Sequence, residues 1–451
     1  MTGTAGGGGS YLIPRPPRVH SMSRLSASDL PAVVSQVLTA TPVVDMHTHL
    51  YPPTFGTPVP HRGNAVDPSG LMLWGVDALV TYHYLIAEVF RVVPATRLPY
   101  ERFWAMTKRE QADHIWKHLF VERTPISEAC RGVVTTLTRL GLDPGVKHLD
   151  QLRPWFRDQD PSGYVDRVME LANVSSITMT NAVFDDNERR RWEAGVAPDR
   201  RFRGVLRFDP LLLDWPASGK KLAGWGYAVT PEFSDRTVAE VRRFLTEWCD
   251  RVGAVYCAVS LPPDFHYPDF DACDTLLAKC VLPVCEERDI PFAMMIGSRR
   301  GVNPPLRDAA DTGGLADVQS VGTLCREFPR NRFLVTMLAR ENQHELAVAA
   351  RKFGNLMPFG CWWFLNNPGL IDEITRLRVE LLGTSVILQH SDARVLDQLV
   401  YKWEHSRRVI GRVLAEKYAD LLAAGWPLTR EQIERDASQF LSENFTNFLR
   451  G

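Results

Sequence analysis

Two histidines one residue apart, His47 and His49, end the apolar run Pro42-Val43-Val44-Asp45-Met46-His47. In an extended chain residues i and i+2 point to the same side, so the two imidazoles project together. Such a pair suits one divalent metal, zinc first, with manganese or iron as alternatives. A second polar group comes late, in Gln389-His390-Ser391-Asp392-Ala393-Arg394. If these two stretches lie side by side, Asp392 completes a His-His-Asp face with metal positions left open for water or substrate. Arg394 points the same way as Asp392 in extended chain and suits bidentate recognition of a carboxylate. The plainer alternatives are a helix cap for Asp392 and an internal ion pair between Asp392 and Arg394.

Other residues could serve the same centre. His83 and Tyr84, in Thr81-Tyr82-His83-Tyr84, could donate or relay a proton; otherwise they are a surface histidine and a packing tyrosine. Trp362 and Trp363 are adjacent, so on a strand one packs outward and the other walls a pocket. Arg207 and the pair Arg299-Arg300 could aim positive charge at an anionic substrate, or sit in ion pairs of their own. His266, in Asp264-Phe265-His266-Tyr267, is an outside candidate ligand and more simply a loop histidine.

The elements that must position these groups follow from periodicity. Eight short apolar runs recur: 42–47, 176–180 (continuing to about Phe184), 204–208, 254–259, 291–296, 333–338, 357–362 and 385–388. Continuous apolar runs of this length suit parallel strands buried on both faces. Helical spacing appears between them, as in Thr237–Arg251 and Glu341–Phe353. Eight such units predict a (β/α)8, TIM-like barrel, with a doubly wound open sheet as the alternative. No G-x-G-x-x-G follows any run, which argues against dinucleotide binding. In a closed barrel the eighth strand neighbours the first, which would bring Asp392 to His47 and His49. Between the first and second runs lie about 120 residues, far beyond one crossover helix. The stretch 51–174 is therefore expected to be a mainly helical insertion after the first strand. Helical patterns over Val395–Tyr418 and Thr429–Leu449 predict a C-terminal helical extension. Residues 1–40 are expected to form a flexible lead-in, with Gly6–Gly9 and Pro14 to Pro17, and a first helix, and 41–451 the barrel.

Bulk composition narrows the partners. The 451 residues carry 52 basic and 53 acidic side chains and a net charge of −1, so nothing favours nucleic acid or an anionic membrane. A hydrophobic content of 45% supports a large core, yet no apolar run is long enough to span a bilayer. The 8 cysteines form no C-x-x-C pair and several lie in apolar runs, which predicts buried free thiols. With no secretory signal recognisable at the N-terminus, a reducing cytoplasmic setting is expected.

The combined pattern resembles the uronate (glucuronate) isomerases, a branch of the amidohydrolase superfamily. The likeness is carried by His47-Thr48-His49, by His83-Tyr84, by Leu206-Arg207-Phe208-Asp209 and by Gly360-Cys361-Trp362-Trp363-Phe364. The stretch from Ile296-Gly297 through Arg300 to Asp311-Thr312-Gly313-Gly314 and the pair Asp392/Arg394 extend it. The resemblance implies aldose–ketose interconversion of a hexuronate, with a proton passing from C2 to C1 through an enediol. It implies that His47, His49 and Asp392 hold a metal, with Asp392, His83 and Tyr84 sharing proton transfer. It also implies that Arg394 binds the substrate carboxylate, with Arg207, Arg300, Trp362 and Trp363 completing the pocket, and that the protein assembles as a homo-oligomer. The chain departs from the family pattern at Met295, where a histidine is usual, at Ser260-Leu261-Pro262-Pro263, where Asp-His-Gly is usual, and at Leu85-Ile86-Ala87-Glu88, where basic residues are usual. These changes point to a less polar or differently shaped ligand. The alternatives are a metal-dependent hydrolase or lyase of the same superfamily acting on a less polar acid, and a non-catalytic relative that binds an acidic metabolite.

Overall fold

The computed structural model describes residues 25–61, 66–197 and 199–451. The glycine- and proline-rich lead-in lies outside the described residues, and Leu30–Ala40 forms the first helix.

Five strands follow the predicted runs closely: β1 (Val43–Thr48), β2 (Val174–Ala182), β3 (Phe202–Arg207), β4 (Ala254–Leu261) and β5 (Phe292–Ile296). A two-residue hairpin comes next, β6 (Ser298–Arg299) with β7 (Thr312–Gly313), and then β8 (Phe333–Met337) and β9 (Leu356–Pro358). Seven of these form one sheet in the order β1-β2-β3-β4-β5-β8-β9, every pairing parallel. All residues of β5 and of β8 are buried, as expected when both sheet faces are covered.

The eighth apolar run does not form a regular strand, which corrects the sequence expectation. It touches both sheet edges through isolated bonds instead. Phe359 bridges Ile387 and the Gly360 amide donates to the Ile387 carbonyl (2.8 Å). On the other side Asp392 N donates to His47 O (3.1 Å) and His49 N to Ala393 O (2.7 Å). The sheet thus closes into a TIM-like barrel whose last position is an irregular segment. Left-handed backbone flanks this closure: Gly360 (φ 59) and Trp363 (φ 50) follow β9, and Asp392 (φ 51) follows the eighth run. Gly360 must be glycine, because a Cβ there would lie 1.7 Å from Nδ1 of His390.

The barrel interior is filled by Met46, Val205, Tyr256, Met295, Leu334 and Phe359, with Phe445 from the C-terminal segment packed beneath. Helices form the outer layer. Asp235–Val252 shows why one starts and stops where it does: Ser234 accepts from Thr237 N at one end, and Gly253 takes the left-handed conformation (φ 61) at the other. Between β1 and β2 lie short helices, among them Val76–Val80, His83–Val92, Lys108–Trp116, Glu128–Arg139 and Pro161–Ala172. The long C-terminal helix begins at Gln398 rather than Val395, because the Gln398 side chain accepts from the amides of Arg394 and Val395 and holds that turn open. The remainder runs as Arg430–Ser438, a π turn at Gln439–Glu443, and Asn444–Phe448. All eight cysteines are free thiols. No helix among the described residues is long and apolar enough to cross a membrane.

Candidate active site and metal centre

The C-terminal ends of the strands converge on one small cavity, the end where barrel enzymes carry their chemistry. Its wall includes His47 from β1 and His49 just after it, Arg207 from β3, Ser260 from β4 and Met295 from β5. Trp362, Trp363, Asp392 and Arg394 join from the closing segments, His83 from the helical stretch after β1, and Arg300 from beyond β6.

The two imidazoles and the late carboxylate do meet. One ligand atom each from His47, His49 and Asp392 lies within 4.8 Å of the others. Asp392 Oδ1 is 3.6 Å from His47 Nε2 and 3.3 Å from His49 Nε2. Asp392 is therefore not a helix cap, and it makes no ion pair with Arg394.

Hydrogen bonding fixes where the protons are. Thr180, on β2, donates its hydroxyl proton to Thr48 O (2.9 Å), so its oxygen must accept from Nδ1–H of His49, also at 2.9 Å. Burial, aided by the Arg394 charge, pushes the His49 pKa down to about 3, so the ring is neutral and Nε2 is bare. Burial opposes ionisation of Asp392, but the flanking His47 and His49 imidazoles outweigh it and hold the carboxyl well below its ordinary range. Nε2 of His49 lies 3.3 Å from Oδ1 of Asp392. Nε2 of His47 and Oδ1 of Asp392 are also buried without hydrogen-bond partners. A divalent cation would satisfy these atoms at once, and two imidazoles with one carboxylate are a fitting donor set for it.

Thr180 gives a direct test. Thr180→Val removes the acceptor that fixes the His49 tautomer while keeping the shape. It is expected to weaken zinc binding about 10- to 100-fold, measured by competition with a chromogenic chelator. Unchanged affinity would refute the tautomer assignment.

Three further residues shape the centre that the sequence reading did not single out. Asp45 is fully buried; it accepts from Ser391 N (3.1 Å) and, through its other oxygen, from Trp403 Nε1 (2.8 Å). It pins β1, the Asp392 segment and the C-terminal helix together. His390 is fully buried edge-to-face against His47, with ring centroids 5.3 Å apart, and burial holds its pKa well below the ordinary value. Tyr82 packs its ring 4.1 Å from that of His83. The D-x-H spacing of Asp45 and His47 was a signal available in the sequence; nothing local marked Thr180 or Tyr82.

His83 begins the His83–Val92 helix and accepts from Trp363 Nε1 (3.2 Å) through Nε2, so its own proton sits on Nδ1. Burial, then the Arg394 charge, holds its pKa well below the usual value. The Tyr84 hydroxyl is buried without a partner, and burial keeps it protonated. Both tryptophans face the cavity, contrary to strand alternation, because the chain leaves the strand at Pro358 and turns through the helical step Trp363–Leu365.

The arginines divide. Arg207 donates to both oxygens of Asp209 (2.6–3.1 Å) and to Ser260 Oγ (2.9 Å). Arg300 pairs with Asp311 at 2.5 Å. Arg394 lines the cavity and has no ion pair among the described residues. His266 is exposed, bonds Asp317 (2.9 Å) and lies outside the cavity, and exposed Arg299 does not line it either.

An α/β barrel that gathers a His-His-Asp group and an unengaged arginine at its strand ends defines a barrel enzyme with a centre suited to a divalent metal. Comparison with solved structures narrows the class. The chain is 51% identical to a uronate isomerase from Bacillus halodurans, with a TM-score of 0.89 over 95% of this chain and 97% of that one. A uronate isomerase from Thermotoga maritima (14% identity, TM-score 0.71, 95% and 98% covered) and a glucuronate isomerase from Caulobacter crescentus (15%, 0.71, 97% and 98%) share the fold. Neither a family model nor a curated protein matches the sequence. The chain belongs to the uronate isomerase family.

Proposed function

We propose that the protein is a uronate isomerase, interconverting an aldose and a ketose hexuronate such as glucuronate and fructuronate. The observation that carries this reading is 51% identity to a uronate isomerase over nearly the whole of both chains. The cavity chemistry is what such a reaction needs.

His47, His49 and Asp392 would hold the metal, zinc first by donor type, with manganese or iron as alternatives. When bound, the cation polarises the carbonyl and its neighbouring hydroxyl, which acidifies the proton at C2. Arg394, with its guanidinium unengaged, pairs with the substrate carboxylate and sets which end of the sugar faces the histidines. Arg207, held by Asp209, adds fixed positive charge to the wall. The ionised carboxylate of Asp392 can take a proton: Oδ1 faces the imidazoles, and its other oxygen remains. His83, on the cavity wall, is a neutral donor for a sugar oxygen as the proton passes from C2 to C1 through the enediol, and Tyr84, outside the wall, packs against the His83 ring (4.6 Å). Trp362 and Trp363 exclude water from that intermediate.

The test is a mass-resolved incubation of zinc-, manganese- or iron-loaded protein with glucuronate in deuterated water. The expected product has the composition of glucuronate and, by NMR, the connectivity of fructuronate; the deuterium content at C1 measures how far the transferred proton exchanges with solvent. A product heavier by one water, or split into fragments, would instead favour the hydrolase or lyase alternative. A metal-loaded enzyme that turns over no uronate would sink the reading.

A further inference from the structure

The cavity around the His-His-Asp group has a volume of about 10 Å3, room for roughly one water. Small-molecule sites usually offer about 300 Å3 or more. A sugar acid can enter only if part of the wall moves. Outside it lies an open recess of about 640 Å3 between Pro263, Val302 and Leu315. Among the described residues, Arg300 alone borders both spaces.

What holds Arg300 there is specific. Its guanidinium lies over the Trp363 ring (5.5 Å) and donates to one oxygen of Asp311 at 2.5 Å. The other Asp311 oxygen accepts from Gly301 N (2.8 Å). The hairpin base beneath is rigid: Ser298 pairs with Gly313 and Arg299 with Thr312, and Gly314 N donates to Gly297 O (2.8 Å). Gly297 (φ 114) allows that closure, since a Cβ would lie 2.9 Å from the Gly314 carbonyl. The movable part is therefore the arginine side chain, which is 51% exposed while Asp311 is 12% exposed.

We propose that Arg300 and Asp311 form a carboxylate-exchange latch: Asp311 holds Arg300 across the mouth until the ligand's carboxylate, seated on Arg394 in the same cavity, replaces it as a partner shared by both arginines. This rests on the uronate reading above and adds a reason why the site prefers acids. A neutral polyol must break the Arg300–Asp311 pair with nothing in return, whereas an acid re-pairs the arginine. A partly exposed pair biases such an equilibrium by about three- to fivefold, and apparent affinity scales with the open fraction.

The experiment compares gulonate with sorbitol, by inhibition and calorimetry, on the full-length metal-loaded protein. Gulonate keeps the carboxylate of glucuronate but has an alcohol in place of the aldehyde; sorbitol is its neutral counterpart. Asp311→Asn is expected to tighten both by about three- to fivefold, because it weakens the closed state alone. Asp311→Glu is expected to restore wild-type affinities. Arg300→Met is expected to weaken gulonate about tenfold without weakening sorbitol. If Asp311→Asn folds normally and leaves both affinities unchanged or weaker, the latch is overturned. Turnover of glucuronate in the same preparations separates the two ideas. An active wild type with an unresponsive Asp311→Asn removes only the latch, and a wild type that neither binds gulonate nor isomerises glucuronate removes both.

Discussion

Asp392→Asn is expected to lower kcat for glucuronate by about 10³-fold or more while leaving the fold intact. The substitution takes away the ionised oxygen that faces both imidazoles and so removes a proton acceptor as well as a metal ligand. Asparagine is the right replacement for backbone reasons. Position 392 has φ 51, a conformation that asparagine and aspartate tolerate better than other side-chain-bearing residues. Any loss therefore reports on the carboxylate rather than on strain. Elemental analysis of the purified variant, with kcat measured at saturating metal, tests both roles together. A variant that keeps stoichiometric zinc and more than a tenth of wild-type kcat would remove Asp392 from the centre of the mechanism.

The second large effect concerns Arg394→Met. A desolvated carboxylate left without its partner costs about 2–5 kcal/mol, so kcat/KM for a uronate is expected to fall by about 10²- to 10³-fold. The fold should not suffer, because Arg394 makes no ion pair that its removal would break. Arg207→Met is a contrasting control. It would strand Asp209, which is only 16% exposed, and is expected to lower the melting temperature as well as activity. If Arg394→Met leaves KM and kcat close to wild type, the carboxylate of the substrate must be bound elsewhere in the cavity.

The reactive residues were unusually visible in the sequence because two of them obey strand alternation. His47 and His49 share a face by period two, although the pairing of β1 with β2 shifts register between Asp45 and Thr48. Asp392 was legible from its place after the eighth apolar run, although the expected strand is an irregular segment with three left-handed residues nearby. That irregularity is also why alternation misassigned Trp362 and Trp363: backbone strain at Trp363 is set by what the turn packs against, and no local pattern encodes it. Thr180 was invisible for another reason. A threonine in a β-rich run is ordinary, and it becomes a tautomer switch only because β2 pairs beside β1. The arginines show the same limit, since residue type made all three candidates and only their carboxylate neighbours separate Arg394 from Arg207 and Arg300.

The two long-range hydrogen bonds that Asp45 accepts have a consequence for how the protein comes into being. Its hydrogen bonds to Ser391 and Trp403 join groups separated by 346 and 358 positions along the chain. Closing loops of that length is entropically late, so the first strand must wait with its histidines exposed while most of the polypeptide is synthesised and packs. A nascent chain stopped before residue 391 would own both imidazoles and still lack the means to cage an ion. An ion bound there would add its binding free energy to the closed barrel, so the expected cost of chelation is lower stability of the last-formed contacts.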